Sequence, residues 1–194
     1  IDYISNSLLL MVGVGFGTLI LGVSAAWLTA MCDFPGRKIL SWAFLLPMAM
    51  PAYIIAYTYT GILDFAGPVQ STLRATFGWG YGDYYFPQIR SIGGAICMLS
   101  LVLYPYVYML VRIAFLEQST AVLEASRNLG KKPWQTLFSV ALPMSRPAIV
   151  AGVSLALMET LADYGTVAYF GVSAFTTGIF RTWYGLGELT TAAQ

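Results

Sequence analysis

The sequence contains no histidine, and only 10% of its 194 residues are charged. The absence of imidazole removes histidine metal ligands and histidine general bases, which argues against most hydrolases and metalloenzymes. The formal net charge of +1 gives no reason to expect a nucleic-acid partner. The two cysteines, Cys32 and Cys97, form no CxxC or zinc-binding pattern, and we expect both to be unpaired. We therefore predict no catalytic residue, no cofactor-binding residue and no firm metal ligand in this chain.

The scarcity of charge also argues against a water-soluble domain, whose charged fraction is usually about a quarter. Four apolar segments dominate the chain, at residues 7–31, 39–63, 92–116 and 148–172. Each has about 25 residues, or about 37 Å of helix, which is enough to cross a hydrocarbon core of about 30 Å. We predict an all-α, multispanning transmembrane helical bundle with about four full spans, forming a single domain over residues 1–194. Because the chain starts without Met and stops within a pattern, we expect it to be a fragment.

Basic residues in the connections predict how the chain threads the lipid bilayer. The connection 32–38 carries Arg37 and Lys38, whereas residues 64–91 hold equal numbers of acidic and basic side chains. The connection 117–147 contains more basic than acidic residues. The positive-inside rule therefore places the first and third connections in the cytoplasm and the second outside. In the outer connection, apolar residues at helical spacing predict a short interfacial helix: Val69, Leu73 and Phe77.

Small residues and prolines within the apolar segments are typical of packed membrane helices. The motifs Gly13-xxx-Gly17 and Gly152-xxx-Ala156 would let neighbouring backbones approach closely. Three prolines lie inside predicted spans, where partner helices or local 3₁₀ turns can satisfy the freed carbonyls: Pro47, Pro51 and Pro105. We interpret all of these as packing features.

The cytoplasmic segment 117–147 predicts two short helices joined at a glycine, which we call the elbow. Ser119 or Thr120 can cap a first helix that runs to Leu129, and Gly130 follows where a left-handed residue ends a helix. Pro133 begins a second helix, 134–141. The first helix has an apolar stripe that nothing in the sequence obviously covers: Ala121, Val122, Ala125 and Leu129. The elbow is therefore either a re-entry turn packed on its own helix ends or a docking surface for a partner protein.

The elbow resembles the EAA signature of ABC-type, binding-protein-dependent importer permeases. Glu124-Ala125-Ser126 is followed by three residues and Gly130, and after nine more residues by Val140-Ala141-Leu142-Pro143. Ser126 and Val140 replace the family's Ala and Ile. The resemblance implies a type I importer permease fold whose first elbow helix couples to a separate ATPase subunit. The residues that it assigns to this coupling are Glu124, Ala125, Ser126, Gly130, Leu142 and Pro143.

The wider sequence is similar to the first half of iron(III) ABC transporter permeases, through segments such as 33–37, 159–166 and 175–181. This resemblance implies a multi-pass subunit in the bacterial inner membrane that carries ferric iron by alternating access. It also implies three partners: ATP-binding cassette ATPase subunits, a second permease half and a periplasmic solute-binding protein. Thiamine, a phosphonate or a polyamine is the alternative cargo. An ATP-independent channel is a rival reading, and a membrane-embedded enzyme is a weaker one.

No cofactor is expected in this chain, because no Gly-x-x-x-x-Gly-Lys-Ser/Thr motif occurs in it. ATP and Mg²⁺ are therefore expected on the partner subunit.

Two acidic residues in the last apolar segment are candidates for the transport pathway. Glu159 and Asp163 are four residues apart, so on a continuous helix they share a face. A carboxylate at mid-bilayer costs about 2.5–3.5 kcal/mol on insertion scales, so each should face the bundle interior or a wet path. Such carboxylates either line a cation pathway or form structural hydrogen bonds between helices. The residues alone leave both roles open.

Overall fold

The structure, a computed structural model, describes residues 2–80, 82–118, 124–126, 128–185, 187 and 189–192. Within these ranges it is helical and contains no strand, as predicted. In chain order the helices are α1 (Asp2–Met31), α2 (Arg37–Ala43), α3 (Ala52–Leu63), α4 (Pro68–Phe77), α5 (Ile92–Glu117), α6 (Pro133–Thr136), α7 (Leu142–Met144), α8 (Arg146–Ala162), α9 (Gly165–Tyr169), α10 (Phe175–Phe180) and α11 (Leu189–Ala192). Residues 124–126 and 128 are also helical.

The two longest helices, α1 and α5, are each long and apolar enough to span a membrane alone. They confirm the first and third predicted segments as continuous helices. Among the described residues, two bent helix pairs raise the number of candidate spans to four if each pair counts as one. The short helix α4 also confirms the helix predicted within the outer connection.

The second predicted segment, 39–63, is not one continuous helix. It is split between α2 with a 3₁₀ turn at Leu46–Ala49 and α3. The stretch Arg37–Ala49 meets the stretch Ala52–Phe77, which includes α3 and α4, at 100°. Proline explains the break: a residue that precedes proline is disfavoured in the α conformation, and Met50 before Pro51 is extended, with φ −122° and ψ 138°. The prediction of one continuous span over 39–63 is therefore wrong at Pro51, whereas Pro47 lies in a local 3₁₀ turn, one of the two arrangements predicted for these prolines.

The fourth predicted segment, 148–172, is also divided. Its long helix α8 begins at Arg146 with Pro147 in the first turn and ends at Ala162. Asp163 is extended, with φ −71° and ψ 116°, and the short helix α9 follows. At its other end α8 meets the elbow helices at an angle of 74°. Residues 163–172 therefore do not continue the membrane helix.

The core lies where α1, α5 and α8 pack against one another. One buried cluster surrounds Leu99 and Phe170, and a second surrounds Tyr108 and Phe115 nearer the elbow. The close approach predicted for the small-residue motifs is confirmed at Gly152, because a Cβ there would lie 2.7 Å from the Val107 Cα. No side chain fits between α5 and α8 at this point, so the three helices form a rigid unit on which the elbow is built.

Candidate functional site: the cytoplasmic elbow

The first elbow helix ends at Gly130 as predicted. Gly130 has φ +79°, in the left-handed region that residues with a Cβ disfavour. The Leu129 N–H donates to the Ala125 carbonyl at 3.0 Å, and the Lys131 N–H donates to the Ser126 carbonyl at 3.2 Å. These bonds close the helix in the manner of a glycine C-cap. The predicted cap at Ser119 or Thr120, and Ala121 and Val122, lie outside the described residues.

A buried hydroxyl pair joins the two elbow helices. The Oγ of Ser126 and the Oγ1 of Thr136 lie 2.9 Å apart, and the two residues are only 5% and 3% exposed. Ser126 stands where the signature has alanine, so the departure from the family pattern supplies a hydrogen bond. The second helix is capped by Gln135, whose Oε1 accepts from the Lys132 N–H at 2.9 Å. The turn around Gly130 is therefore fixed on both sides.

The second half of the elbow is tied to the end of α5. The Nε2 of Gln118 donates to the Ala141 carbonyl at 3.0 Å and to the Ser145 Oγ at 2.9 Å. Ala141 ends a π-helical turn, Leu137–Ala141, that connects α6 to α7. Ala141 and Ser145 are buried, so this link lies inside the protein. It connects the inner ends of α5 and α8 through the elbow.

The six residues assigned to ATPase coupling do not all lie on one exposed surface. Glu124, Ala125 and Gly130 are exposed, whereas Ser126 is buried. The remaining two, Leu142 and Pro143, are half-buried and line a groove that faces α1. Of the predicted apolar stripe, Ala125 is uncovered and Leu129 is 80% exposed. The part of the first elbow helix that the structure describes thus presents an open surface.

Glu159 faces a cleft formed by three parts of the chain. The cleft has a volume of about 340 Å³ and is bounded by the broken segment at Met48–Ala52 and by Tyr106 of α5. Glu159 is exposed, and its carboxylate has no hydrogen bond or ion pair with any residue that the structure describes. By helix rise it lies about 20 Å from Arg146 at the start of α8. The Glu159 carboxylate therefore lies at the cleft surface without a partner among the described residues.

Asp163 follows Glu159 by one helical turn, and its N–H donates to the Glu159 carbonyl at 3.0 Å, but its carboxylate has a different environment. Its Oδ1 accepts from the backbone N–H groups of Thr166 at 2.7 Å and Val167 at 3.3 Å, and its Oδ2 accepts from the Thr166 hydroxyl at 2.9 Å. Its carbonyl accepts from the Thr176 hydroxyl at 3.1 Å. These are the bonds of a helix N-cap, here at the start of α9. The structure therefore gives Asp163 a structural role.

The described residues contain no group of three or more His, Cys, Asp or Glu side chains that could hold a metal ion. Within this part of the chain, the features of note are thus the elbow and the Glu159 cleft.

Comparison with known families agrees with this architecture. Residues 18–192 match the model of a family described as "Binding-protein-dependent transport system inner membrane component". The chain belongs to this family. It is accordingly an inner-membrane component of a transport system.

Relatives of this inner-membrane component serve several transport systems. The chain is 27% identical over 180 residues to the Fe(3+)-transport system permease protein FbpB 2 of Haemophilus influenzae, covering 93% of the chain and 31% of the relative. It is 26% identical over 170 residues to the molybdenum transport system permease protein ModB of the same species, covering 88% and 71%. A probable sulfate transport system permease protein, cysT of Chlorokybus atmophyticus, is 31% identical over 161 residues, covering 78% and 51%. The chain thus spans about a third of the iron relative and about half of the sulfate relative.

Sequence reasoning missed three residues of this permease elbow. Gln118, Thr136 and Ser145 form the buried polar links described above, and none belongs to the signature. A signal was available for Gln118, since a glutamine directly after an apolar helix has to place its amide against polar groups. Thr136 and Ser145 gave no such signal, because short hydroxyl side chains occur at many positions in membrane helices.

Proposed function

We propose that this permease chain works in an ATP-driven importer and that its first elbow helix docks on a separate ATPase subunit. The observation that carries the proposal is the exposed Leu129, in the same elbow helix as the exposed Glu124, on a turn that internal bonds hold in place. An apolar side chain that is 80% exposed on a rigid support fits a protein–protein contact better than a solvated turn. A re-entry turn packed on its own ends would cover this leucine.

In this proposal ATP and Mg²⁺ bind to the partner subunit, since the chain has no phosphate-binding motif of its own. Movement of the ATPase would displace the elbow, and the Gln118 link would transmit this displacement to α5 and α8. A second permease half and a periplasmic solute-binding protein would complete the importer. Alternating access then follows from rocking of the helices around a central path.

Ferric iron is the proposed cargo, and the Glu159 cleft supports a cation. The side chains that line the cleft include no Lys or Arg, so Glu159 leaves a net negative charge there. Hard oxygen ligands suit a hard cation, whereas an oxyanion would be repelled by the carboxylate. The second candidate cargo is an oxyanion, which the molybdenum and sulfate relatives favour. An oxyanion cargo would require that Glu159 lie outside the transport path.

The docking proposal can be tested by a charge reversal with a matched control. Glu124→Lys reverses a charge on the exposed first elbow helix, whereas Glu117→Lys makes the same change at the exposed last residue of α5. The full-length permease would be solubilised in detergent, and capture of its ATPase subunit measured. We expect at least a fivefold loss of capture with Glu124→Lys and little change with Glu117→Lys. Equal capture by both variants and the parent would show that the elbow is only a turn and would favour an ATP-independent channel.

A further inference from the structure

A second surface, which the proposed function does not use, lies between α1 and the elbow. It is a groove of about 740 Å³ with mostly apolar walls. Leu19, Val23 and Trp27 line it from α1, and Trp134 and Phe138 line it from the elbow. Trp134 and Phe138 are 66% and 56% exposed, and their rings meet edge to face with centroids 5.2 Å apart. The two aromatic rings therefore form an exposed wall rather than part of the core.

With the threading predicted from the sequence, the groove lies on the cytoplasmic side of the membrane, and its α1 residues extend toward the hydrocarbon core. Trp27 is near the inner end of α1, and Leu19 lies eight residues away, or about 12 Å deeper by helix rise. Tryptophan is enriched where hydrocarbon meets headgroups, and both Trp27 and Trp134 are at the cytoplasmic end. The α1 residues that line the groove are thus spread along a helix that is long and apolar enough to span a membrane, so an acyl chain can lie beside them.

The groove carries a positive charge at its cytoplasmic end. Arg146, the first residue of α8, is exposed and lines the groove. No Asp or Glu lines the groove, and Arg146 makes no ion pair or hydrogen bond with the residues that the structure describes. Basic pockets between helices on the cytoplasmic side of a membrane are suited to anionic headgroups. The unpaired arginine therefore matches an anionic headgroup, and the apolar walls match the acyl chain of the same lipid.

We propose that this groove binds an anionic phospholipid, with its phosphate on Arg146 and an acyl chain along α1. Charge complementarity favours an anionic lipid over a zwitterionic lipid, because a zwitterionic headgroup would bring a positive charge next to an unpaired arginine. It also favours the lipid over a protein helix, which would have to supply its own carboxylate at Arg146. The proposal depends on the cytoplasmic position of the elbow and does not depend on ATPase docking or on the cargo.

The test uses a photoactivatable phosphatidylglycerol that carries its reactive group on the acyl chain. The full-length permease with its ATPase would be reconstituted into phosphatidylcholine vesicles that contain a small fraction of this probe. Adducts would be mapped by mass spectrometry. We expect labelling of α1 near Leu19 and Val23 and of the elbow near Phe138, at least fivefold above labelling by the matching phosphatidylcholine probe. Free phosphate at millimolar concentration should not compete, because it cannot occupy the apolar walls.

Arg146→Gln should reduce the labelling by phosphatidylglycerol to the level of phosphatidylcholine, and Lys38→Gln should not. Lys38 is a suitable control because it is an exposed cation on the same side of the membrane and does not line the groove. Equal labelling by the two lipids in the parent protein would overturn the proposal, and this comparison needs no variant. Absence of labelling by both would also overturn it, since another protein segment would then cover the groove.

Discussion

The hydroxyl oxygens of Ser126 and Thr136 lie 2.9 Å apart in a contact that excludes water from the inside of the elbow. Each hydroxyl satisfies the other, and together they connect the two elbow helices across the turn at Gly130. A buried hydroxyl that loses its partner costs about 1–3 kcal/mol, whereas removal of both partners can be nearly neutral.

This relationship predicts a non-additive pair of substitutions. Ser126→Ala, which restores the residue of the family signature, should lower the free energy of unfolding by about 1 kcal/mol or more, because the Thr136 hydroxyl is left buried and unpaired. Thr136→Val should have a similar effect. The double variant should be more stable than the sum of the two losses implies. Thermal unfolding of the detergent-solubilised permease measures all three, and strictly additive losses would show that the two hydroxyls do not interact.

Gly130 predicts a difference between two substitutions that add similar volume. No atom lies within 4 Å of a Cβ built at this glycine, so the backbone conformation alone sets the cost of a side chain. Gly130→Val should destabilise the turn by at least about 1 kcal/mol, because β-branched residues disfavour positive φ. Gly130→Asn should be tolerated, because asparagine adopts this conformation far more readily. We expect ATPase capture and solute uptake to fall with valine and to stay near the parent level with asparagine.

Similar losses of uptake in both Gly130 variants would contradict this explanation and would point to a direct contact at Gly130 instead. The control for folding is the membrane fraction, which should contain normal amounts of the variant permease and of the ATPase subunit.

Loss of the Glu159 charge and loss of the Asp163 side chain should have opposite effects: the first should lower uptake, and the second should lower stability. Glu159→Gln should leave thermal stability close to that of the parent, since the carboxylate has no partner among the described residues, and should reduce uptake of radioactive ferric iron several-fold. Asp163→Ala should instead lower stability by about 0.5–2 kcal/mol, the usual cost of losing a helix N-cap. Uptake per folded complex should then remain near normal.

The reverse pattern would exchange the two roles. In that pattern Glu159→Gln would be unstable, and Asp163→Ala would be stable but defective in transport, so Glu159 would be structural and Asp163 would line the pathway. An increase in molybdate or sulfate uptake by the Glu159→Gln variant would favour an oxyanion cargo.

The threading predicts which side of the membrane each connection faces. In a chain whose Cys32 and Cys97 are replaced by serine, a cysteine at Gly80 should react with a membrane-impermeant thiol reagent in intact cells. A cysteine at Lys131 should react only after permeabilisation. Both positions are exposed in this chain, so neither is shielded from the reagent by the described residues. Reaction of Lys131→Cys in intact cells would place the elbow outside and remove the basis for docking to a cytoplasmic ATPase.

Much of the fold could be predicted because apolar length is a strong signal. The helices α1 and α5 match the first and third apolar segments closely, and Gly130 has the conformation that its place after an apolar stripe requires. These features depend on local chemistry: the hydrophobicity of one segment, or the backbone freedom of one residue. The polar links through Gln118 and Thr136 connect residues that are 10 to 27 positions apart. No pattern within one segment predicts which distant hydroxyl or carbonyl will be the partner.

The divided segments show a second limit of sequence reasoning. Apolar length predicts that a segment can lie in the membrane, but not that it does so as one helix. Pro51 and Asp163 each changed the outcome, the first through the conformation of the residue before it and the second by capping a new helix. The consequence is greatest at Asp163, where α8 ends and the carboxylate accepts hydrogen bonds from the first turn of α9.

The break at Met50 has a mechanical consequence. Rotation within a continuous membrane helix has to separate backbone hydrogen bonds in a medium that offers no replacement partners. At Met50 the backbone is already extended, and separate helical turns end before it and begin after it. The two parts can therefore change their angle by rotation about a few backbone dihedrals, with the hydrogen bonds of both helices intact. Because the same residues form one wall of the Glu159 cleft, such a rotation would open or narrow the space beside the carboxylate without the loss of a helical hydrogen bond.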